Sequence, residues 1–425
     1  MRFLFVTWDG GGNVPPALSV ARKLIARGHE VRMLSDPTVE PEARAAGCAF
    51  SAWTTAPHRT TRDRSGDIIR DYAHKNFLTT IRKYMNDFLA APAPRWAGDT
   101  LAVLDRHPTD ALVSDIALPA VLIAAEKRQL PAAILVPNIW IVPTKGIPPL
   151  GGLPPARGPL GRLREALLRA LMTRIFNRAV PALNRTRSEH GLPPVRTAFE
   201  QMLRADLALV LTSPRFDFTS PHLPAHVRYV GPQLDDPSWS APWRSPWPDS
   251  DARPLVLVGL SSTFQDQAAV LGRIVTALAR LPVRALLTLG GAIRPGEVTG
   301  ADNVVVVPSA PHSEVLRQAS LLVTHCGHGT TLKGLAAGVP LVCMPMGRDQ
   351  DDTAVRVVHC GAGVRLKPTA SPEQIGAAVQ RVLATDAYRQ SARRMADALR
   401  TGEGCVDPVT ELERLAAPPA QPAAS

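Results

Sequence analysis

No apolar run in the 425 residues reaches the roughly 18 that a membrane-spanning helix needs. Ahead of Asp9 stand one Arg and only about five apolar residues, too few for the core of a secretory leader, so a cytoplasmic protein is expected. Cysteine is sparse. Cys48, Cys326, Cys343, Cys360 and Cys405 are odd in number and contain no C-x-x-C pair, which argues for reduced thiols and against a redox motif. Aromatic residues make up 5% of the chain and do not interleave with the basic ones, and zinc-finger spacing is missing. The net charge of +11 is therefore not read as a nucleic-acid surface, because its excess is mostly Arg in an Ala-, Pro- and Arg-rich composition. The first glycine-rich loop also lacks G-x-G-x-x-G, which argues against a dinucleotide oxidoreductase.

The length exceeds what one hydrophobic core usually covers, so two domains are expected. Apolar β-rich runs alternate with helical patterns: Phe3 to Val6, a helix near Pro16 to Arg27, Glu30 to Ser35, Ala111 to Ser114, Ala133 to Pro137 and Leu207 to Thr212. A second series starts at Pro254 with "PLVLVGLSS", "RALLTLG", "NVVVVPS", "LLVTHCG" and "PLVCMPM". This alternation predicts α/β architecture, two doubly wound parallel sheets covered by helices. The division is residues 1–230, a Pro-, Ser- and Asp-rich linker 231–254, a second domain 255–400, and a C-terminal segment 401–425 ending in a disordered tail. Trp239, Trp243 and Trp247 read as pins holding the linker to a domain face. Pro159 to Arg187 reads as a basic amphipathic helix with apolar positions Leu160, Leu163, Leu167, Leu171 and Ile175. It is expected to pack on its own domain with a solvated arginine face; contact with a membrane surface is the lesser alternative.

The most informative stretch is "LLVTHCGHGTTLKGLAAGVPLVCMPMGRDQDD". A strand ends at His325, Gly327 and Gly329 let the backbone turn, and a helix starts at Thr330. Backbone N–H groups and the positive end of that helix make an anion site suited to a diphosphate, with His325 and His328 at its rim. The following "GRDQDD" offers Asp349 and Gln350 to a polyhydroxyl ligand at the end of the adjacent strand. Zinc is not expected at His325, Cys326, His328, His359 and Cys360, because the first three point in different directions from one turn.

Together these residues resemble the inverting nucleotide-sugar glycosyltransferases of GT-B fold, in particular bacterial natural-product transferases related to plant and animal glucosyl and glucuronosyl transferases. The donor motif His-x-Gly-x-Gly-Thr, then Gly-Val-Pro, then Asp-Gln, stands here as His325, Gly327, Gly329, Thr330, Gly338 to Pro340, Asp349 and Gln350. The resemblance implies two Rossmann-like domains facing across a cleft, with the donor in the second. It also assigns Ser261, Ser262 and Thr263 to the diphosphate, and Pro311 with His312 to the nucleobase. Two positions depart from the plant pattern. Ser309 replaces a stacking Trp, and Lys333 replaces the acid that holds the ribose hydroxyls, which favours a TDP-sugar over a UDP-sugar.

The family's first loop carries a catalytic His in Gly-His-x-x-Pro; here "GNVPP" puts Asn13 in that place. An amide has no usable basicity near neutral pH. Asp115, ending "DALVSD", matches the acid that orients the family's His and becomes the leading proton acceptor, directly or through water. The competing reading is a helix cap. Asp9 is a second acidic choice, although turn residues are often Asp for local reasons. Gly11, Gly12, Asn13 and Trp140 are expected on the acceptor side, and His58 reads as an exposed loop residue. The resemblance thus implies transfer with inversion, with no cofactor beyond the nucleotide-sugar substrate, no metal, a small-molecule acceptor, and a monomer or homodimer. A sugar-binding helper and a same-fold epimerase are the alternatives.

Overall fold

The computed structural model describes residues 1–70, 82–236, 243–261 and 263–418. Ser262, Trp239 and the last seven positions, 419–425, lie outside the described residues, and with them most of the expected tail.

Two all-parallel sheets form. The first joins β1 (Arg2–Val6), β2 (Glu30–Ser35), β3 (Ala49–Ala52), β4 (Ala111–Asp115), β5 (Ala132–Val136), β6 (Leu207–Val210) and β7 (Val227–Tyr229) in the order β3-β2-β1-β4-β5-β6-β7. The second joins β8 (Leu255–Gly259), β9 (Arg284–Thr288), β10 (Val304–Val307), β11 (Ala319–Thr324), β12 (Leu341–Cys343) and β13 (Gly363–Arg365) in the order β10-β9-β8-β11-β12-β13. Each sheet reverses direction once, between β1 and β4 and between β8 and β11. In open α/β sheets the crevice at the carboxyl ends of such a pair is where ligands bind.

The central strands are buried on both faces, which is why they read as unbroken apolar runs. Alternate side chains divide between two layers of core. Leu4, Val6, Leu112, Ile134 and Val210 pack on one face of the first sheet, and Phe3, Phe5, Val113, Leu135 and Leu209 pack on the other.

Two features depart from the sequence reading, and one lies outside it. Within the C-terminal segment the helix Pro408–Ala416 packs on the first domain, where Val409 and Leu412 enter the core with Phe3 and Val31. Arg27 pairs with Asp407 at 2.6 Å and with Glu413 at 2.9 Å to hold it there. The basic segment breaks into helices Gly158–Phe176 and Val180–Glu189. Its orientation is also reversed: Met172, Phe176 and the buried Glu165 face inward, whereas Leu160, Leu163, Leu167 and Leu171 face solvent. The inward face is fixed by Phe176 stacking on Phe199 at 4.7 Å and by Glu165 accepting the Ala156 N–H at 2.7 Å.

The linker touches both domains. Gln233 and Asp235 accept bonds from Lys23 and Arg22 on the first helix, Val14–Ala26, while Asp236 pairs with Lys333 and Ser313 of the second domain. Trp243 and Trp247 pack against the second domain's core.

Candidate active site between the domains

The loop after β1 is organised by Asn13. Its Nδ2 donates to Asp115 Oδ2 at 2.6 Å, to the Trp8 carbonyl at 2.9 Å and to Thr7 Oγ1 at 3.2 Å, and its Oδ1 accepts the Gly10 N–H at 3.1 Å. A Cβ on Gly10 would lie 2.8 Å from that Oδ1, so glycine is needed for the amide to sit where it does. Gly11 adopts φ +83°, whereas Gly12 has open space around it.

Asp115 ends β4 with its carboxylate buried. Oδ1 accepts the Ala117 N–H at 2.8 Å, so the residue caps the turn ahead of the helix Val121–Arg128 and also meets Asn13. Removal from water pushes its pKa above the ordinary carboxylate range, against the pull of the Ala117, Asn13 and Thr7 hydrogen bonds. Thr7, Asn13, Ala17, Asp115, Leu135, Pro137 and Leu211 line a small cavity at the point where the strand order reverses.

The other residues expected on this side also have partners of their own. The Asp9 carboxylate accepts from Thr38 Oγ1 at 2.7 Å and from Arg62 Nε at 2.9 Å, an ion-paired strut between the β1 loop and the segment after β3. Trp140 is buried in the first domain's core, its indole N–H donated to Thr144 Oγ1 at 2.9 Å. His58 is half-buried, with Nδ1 2.8 Å from the Ala56 carbonyl. Sequence reasoning missed Asp36 at the end of β2. It takes the Asp9 and Arg59 N–H groups, and burial lifts its pKa to about 6. A lone Asp after an apolar strand was its signal.

In the second domain the β11 turn bends through Cys326 at φ +69° into the helix His328–Ala336, whose first-turn amides have no preceding turn to bond. A Cβ on Gly327 would lie 2.6 Å from His325 Nε2, so the ring occupies the space that glycine leaves. Burial, then the nearby Arg348 charge, lowers the His325 pKa to about 4, so the imidazole is neutral. Its buried Nδ1 finds no hydrogen-bond partner among the described residues, nor does either ring nitrogen of His328. His312 sits against Gly259 with Nε2 3.0 Å from Thr288 Oγ1, and burial lowers its pKa to about 4 as well. Pro311 precedes the short helix that His312 begins. Ser261 and Thr263 share a hydroxyl contact at 3.0 Å, and Arg348 donates to Thr263 at 2.9 Å. Gln350 joins Gln265 at 2.9 Å and takes the Met346 N–H, while Gly329 and Thr330 open the helix.

The two halves meet at their strand ends. Asn138, just after β5, donates to Asp349 at 2.8 Å; Gly151 and Gly152 donate to Asp352 at 3.0 to 3.1 Å; Arg356 pairs with Asp217 at 2.8 Å, both side chains buried. Burial raises the Asp352 pKa to about 6. The Phe216 ring stands 6.0 Å from that of His328. Sequence reasoning placed Asp349 on the donor; the interdomain contacts of Asp217, Asp352 and Arg356 had no local signal.

Paired Rossmann-like sheets meeting across a cleft, with a glycine-flanked His turn and helix N-terminus on one side and a buried carboxylate on the other, define a GT-B glycosyltransferase. The chain belongs to the UDP-glucoronosyl and UDP-glucosyl transferase family, whose model matches residues 160–401. It is 31% identical over 427 residues to 4'-demethylrebeccamycin synthase of Lentzea aerocolonigenes, covering 97% of this chain and 99% of that one. Oleandomycin glycosyltransferase of Streptomyces antibioticus is 27% identical over 361 residues, covering 84% and 76%. The crystal structure of CalG4, the calicheamicin glycosyltransferase, superimposes with a TM-score of 0.76 at 23% identity, covering 99% of each chain.

Proposed function

We propose that this glycosyltransferase moves a sugar from a nucleoside diphosphate, TDP in preference to UDP, to a small-molecule natural product with inversion at the anomeric carbon. The observation that carries the reading is the Asn13–Asp115 contact of 2.6 Å at the reversal point of the first sheet. The acceptor oxygen forms its bond to the anomeric carbon as the carbon–oxygen bond to the diphosphate breaks. The leaving electron pair goes out with the diphosphate, toward the His328–Ala336 helix N-terminus. The acceptor's proton passes to Asp115, whose raised pKa makes it a stronger base than an exposed Asp. Asn13 holds the glycine loop against that carboxylate and takes no proton itself. A phenolic or similarly acidic acceptor suits such a weakly basic site.

His325, His328, Gly327, Gly329 and Thr330 are assigned to the diphosphate, Ser261, Ser262 and Thr263 to its outer oxygens, Pro311 and His312 to the base, and Asp349 and Gln350 to the sugar. TDP is favoured because Lys333, standing where the plant branch has an acid, is neutralised by Asp236 and leaves no free carboxylate for a 2′-hydroxyl. A matrix of TDP- and UDP-sugars against phenolic and alcoholic aglycones, read by mass spectrometry, tests the reading. Acceptor mass should rise by one sugar. Tight donor binding with no turnover on any acceptor would instead identify a helper protein.

A further inference from the structure

The helix Gly158–Phe176 turns its leucines outward. Leu160 is 81% exposed, Leu163 57%, Leu167 63% and Leu171 50%. At about 100° per residue these four positions fall within an arc of roughly 80°, along about 16 Å of helix. The face is one continuous apolar strip. Exposed Arg174 lies on the same arc at the strip's C-terminal end, and exposed Arg178 follows in the turn just past the helix. Glu165 is the sole acidic residue between Lys127 and Glu189, and it is buried and bonded to the Ala156 N–H. The exposed surface of this helix is therefore apolar and cationic, with no carboxylate.

We propose that this face docks on an anionic lipid membrane, the helix lying in the plane of the interface with its leucines among the acyl chains and its arginines at the headgroup phosphates. An amphipathic helix with leucines on one side and a purely basic flank has the chemistry that such an interface recognises. A second copy of the chain would set arginine against arginine with no acid to compensate. The helix cannot cross the bilayer, since no helix among the described residues is long and apolar enough.

The test is flotation of the full chain with vesicles of phosphatidylcholine alone and of phosphatidylcholine mixed with phosphatidylglycerol. Binding is expected to the mixed vesicles only, and to weaken as salt rises. The exposed double variant Leu163→Gln/Leu167→Gln keeps every charge; it should lose at least about tenfold in vesicle affinity, with unchanged turnover of a water-soluble acceptor confirming its fold. Failure of the wild type to float with anionic vesicles at low salt overturns the proposal. Equal binding by the double variant also overturns it, because the net charge alone would then explain the attraction. If sedimentation velocity shows the wild type as a dimer that the variant dissociates, the face is a protein interface and the proposal falls.

Discussion

Replacing Asp115 by Asn removes the carboxylate at nearly constant volume. The new side chain keeps an oxygen for the Ala117 N–H, so the turn cap survives. Its NH2 group, however, faces Asn13 Nδ2 at a spacing of 2.6 Å, which sets donor against donor. Turning the Asn13 amide to relieve this clash costs its bonds to the Gly10 N–H and the Trp8 carbonyl. Losing a charge-assisted hydrogen bond costs about 1.5 to 3 kcal/mol, but removing a buried carboxylate whose pKa is already raised offsets part of this, leaving a net stability change within about 2 kcal/mol. The catalytic loss should be larger. Without a proton acceptor kcat should fall by roughly 10² to 10⁴, or about 2.7 to 5.5 kcal/mol of barrier, with little change in donor affinity.

The pH profile separates a base from a cap. A carboxylate works as a base when deprotonated, so activity falls as pH drops through its pKa, and a raised pKa places that limb above the ordinary Asp range. Asn13→Ala removes a hydrogen bond that favours the charged form, so the acid limb of kcat/KM should move to higher pH. Asn13→His would restore a ring base beside the same carboxylate and should raise turnover of weakly acidic alcohols. Stopped-assay rates across pH 4 to 9, taken with circular dichroism to confirm folding, check all three variants. Full activity of Asp115→Asn at every pH, or an acid limb that Asn13→Ala leaves in place, would refute the assignment.

Loss of the His325 ring in His325→Ala should weaken UDP and TDP binding by about 1 to 3 kcal/mol in titration calorimetry, and unchanged affinity for both would remove His325 from the diphosphate site. Arg356→Ala leaves Asp217 buried without its charge partner and should destabilise the chain by about 3 to 5 kcal/mol in denaturant unfolding; a change below about 1 kcal/mol would show that the pair is solvated. Chelation by EDTA should leave turnover unchanged. Among the described residues no three His, Cys, Asp or Glu side chains gather as a metal-holding group. Activity lost to EDTA and restored by magnesium or manganese would show that a cation neutralises the leaving diphosphate.

The sequence made the central strands legible because burial on both faces leaves unbroken apolar runs, as in "ALVSD" and "LVLVG". The strands it did not reveal, β3, β7 and β13, are edge strands of three or four residues with mixed burial, too short to carry a pattern. The His325 turn was readable from Gly327 and Gly329, since a turn that tight names its own residues. Nothing local distinguished Asp9, paired with distant Arg62, from Asp115, paired with Asn13 across 102 positions. The leucine stripe was visible as a stripe, but periodicity does not say which face looks inward. That depended on Met172, Phe176 and Glu165 finding partners on the first domain. The return of Pro408–Ala416 was equally unreadable, because its two anchors, Val409 and Leu412, could have served either domain.

Transfer by in-line displacement, with Asp115 receiving the acceptor's proton, fixes the anomeric configuration of the product. Proton NMR of the product formed from an α-configured TDP-sugar and a phenolic acceptor tests it most directly. In-line displacement gives a β-glycoside, one TDP released for each glycoside formed, and little product from Asp115→Asn. An α-glycoside, or TDP release without acceptor glycosylation, would contradict it.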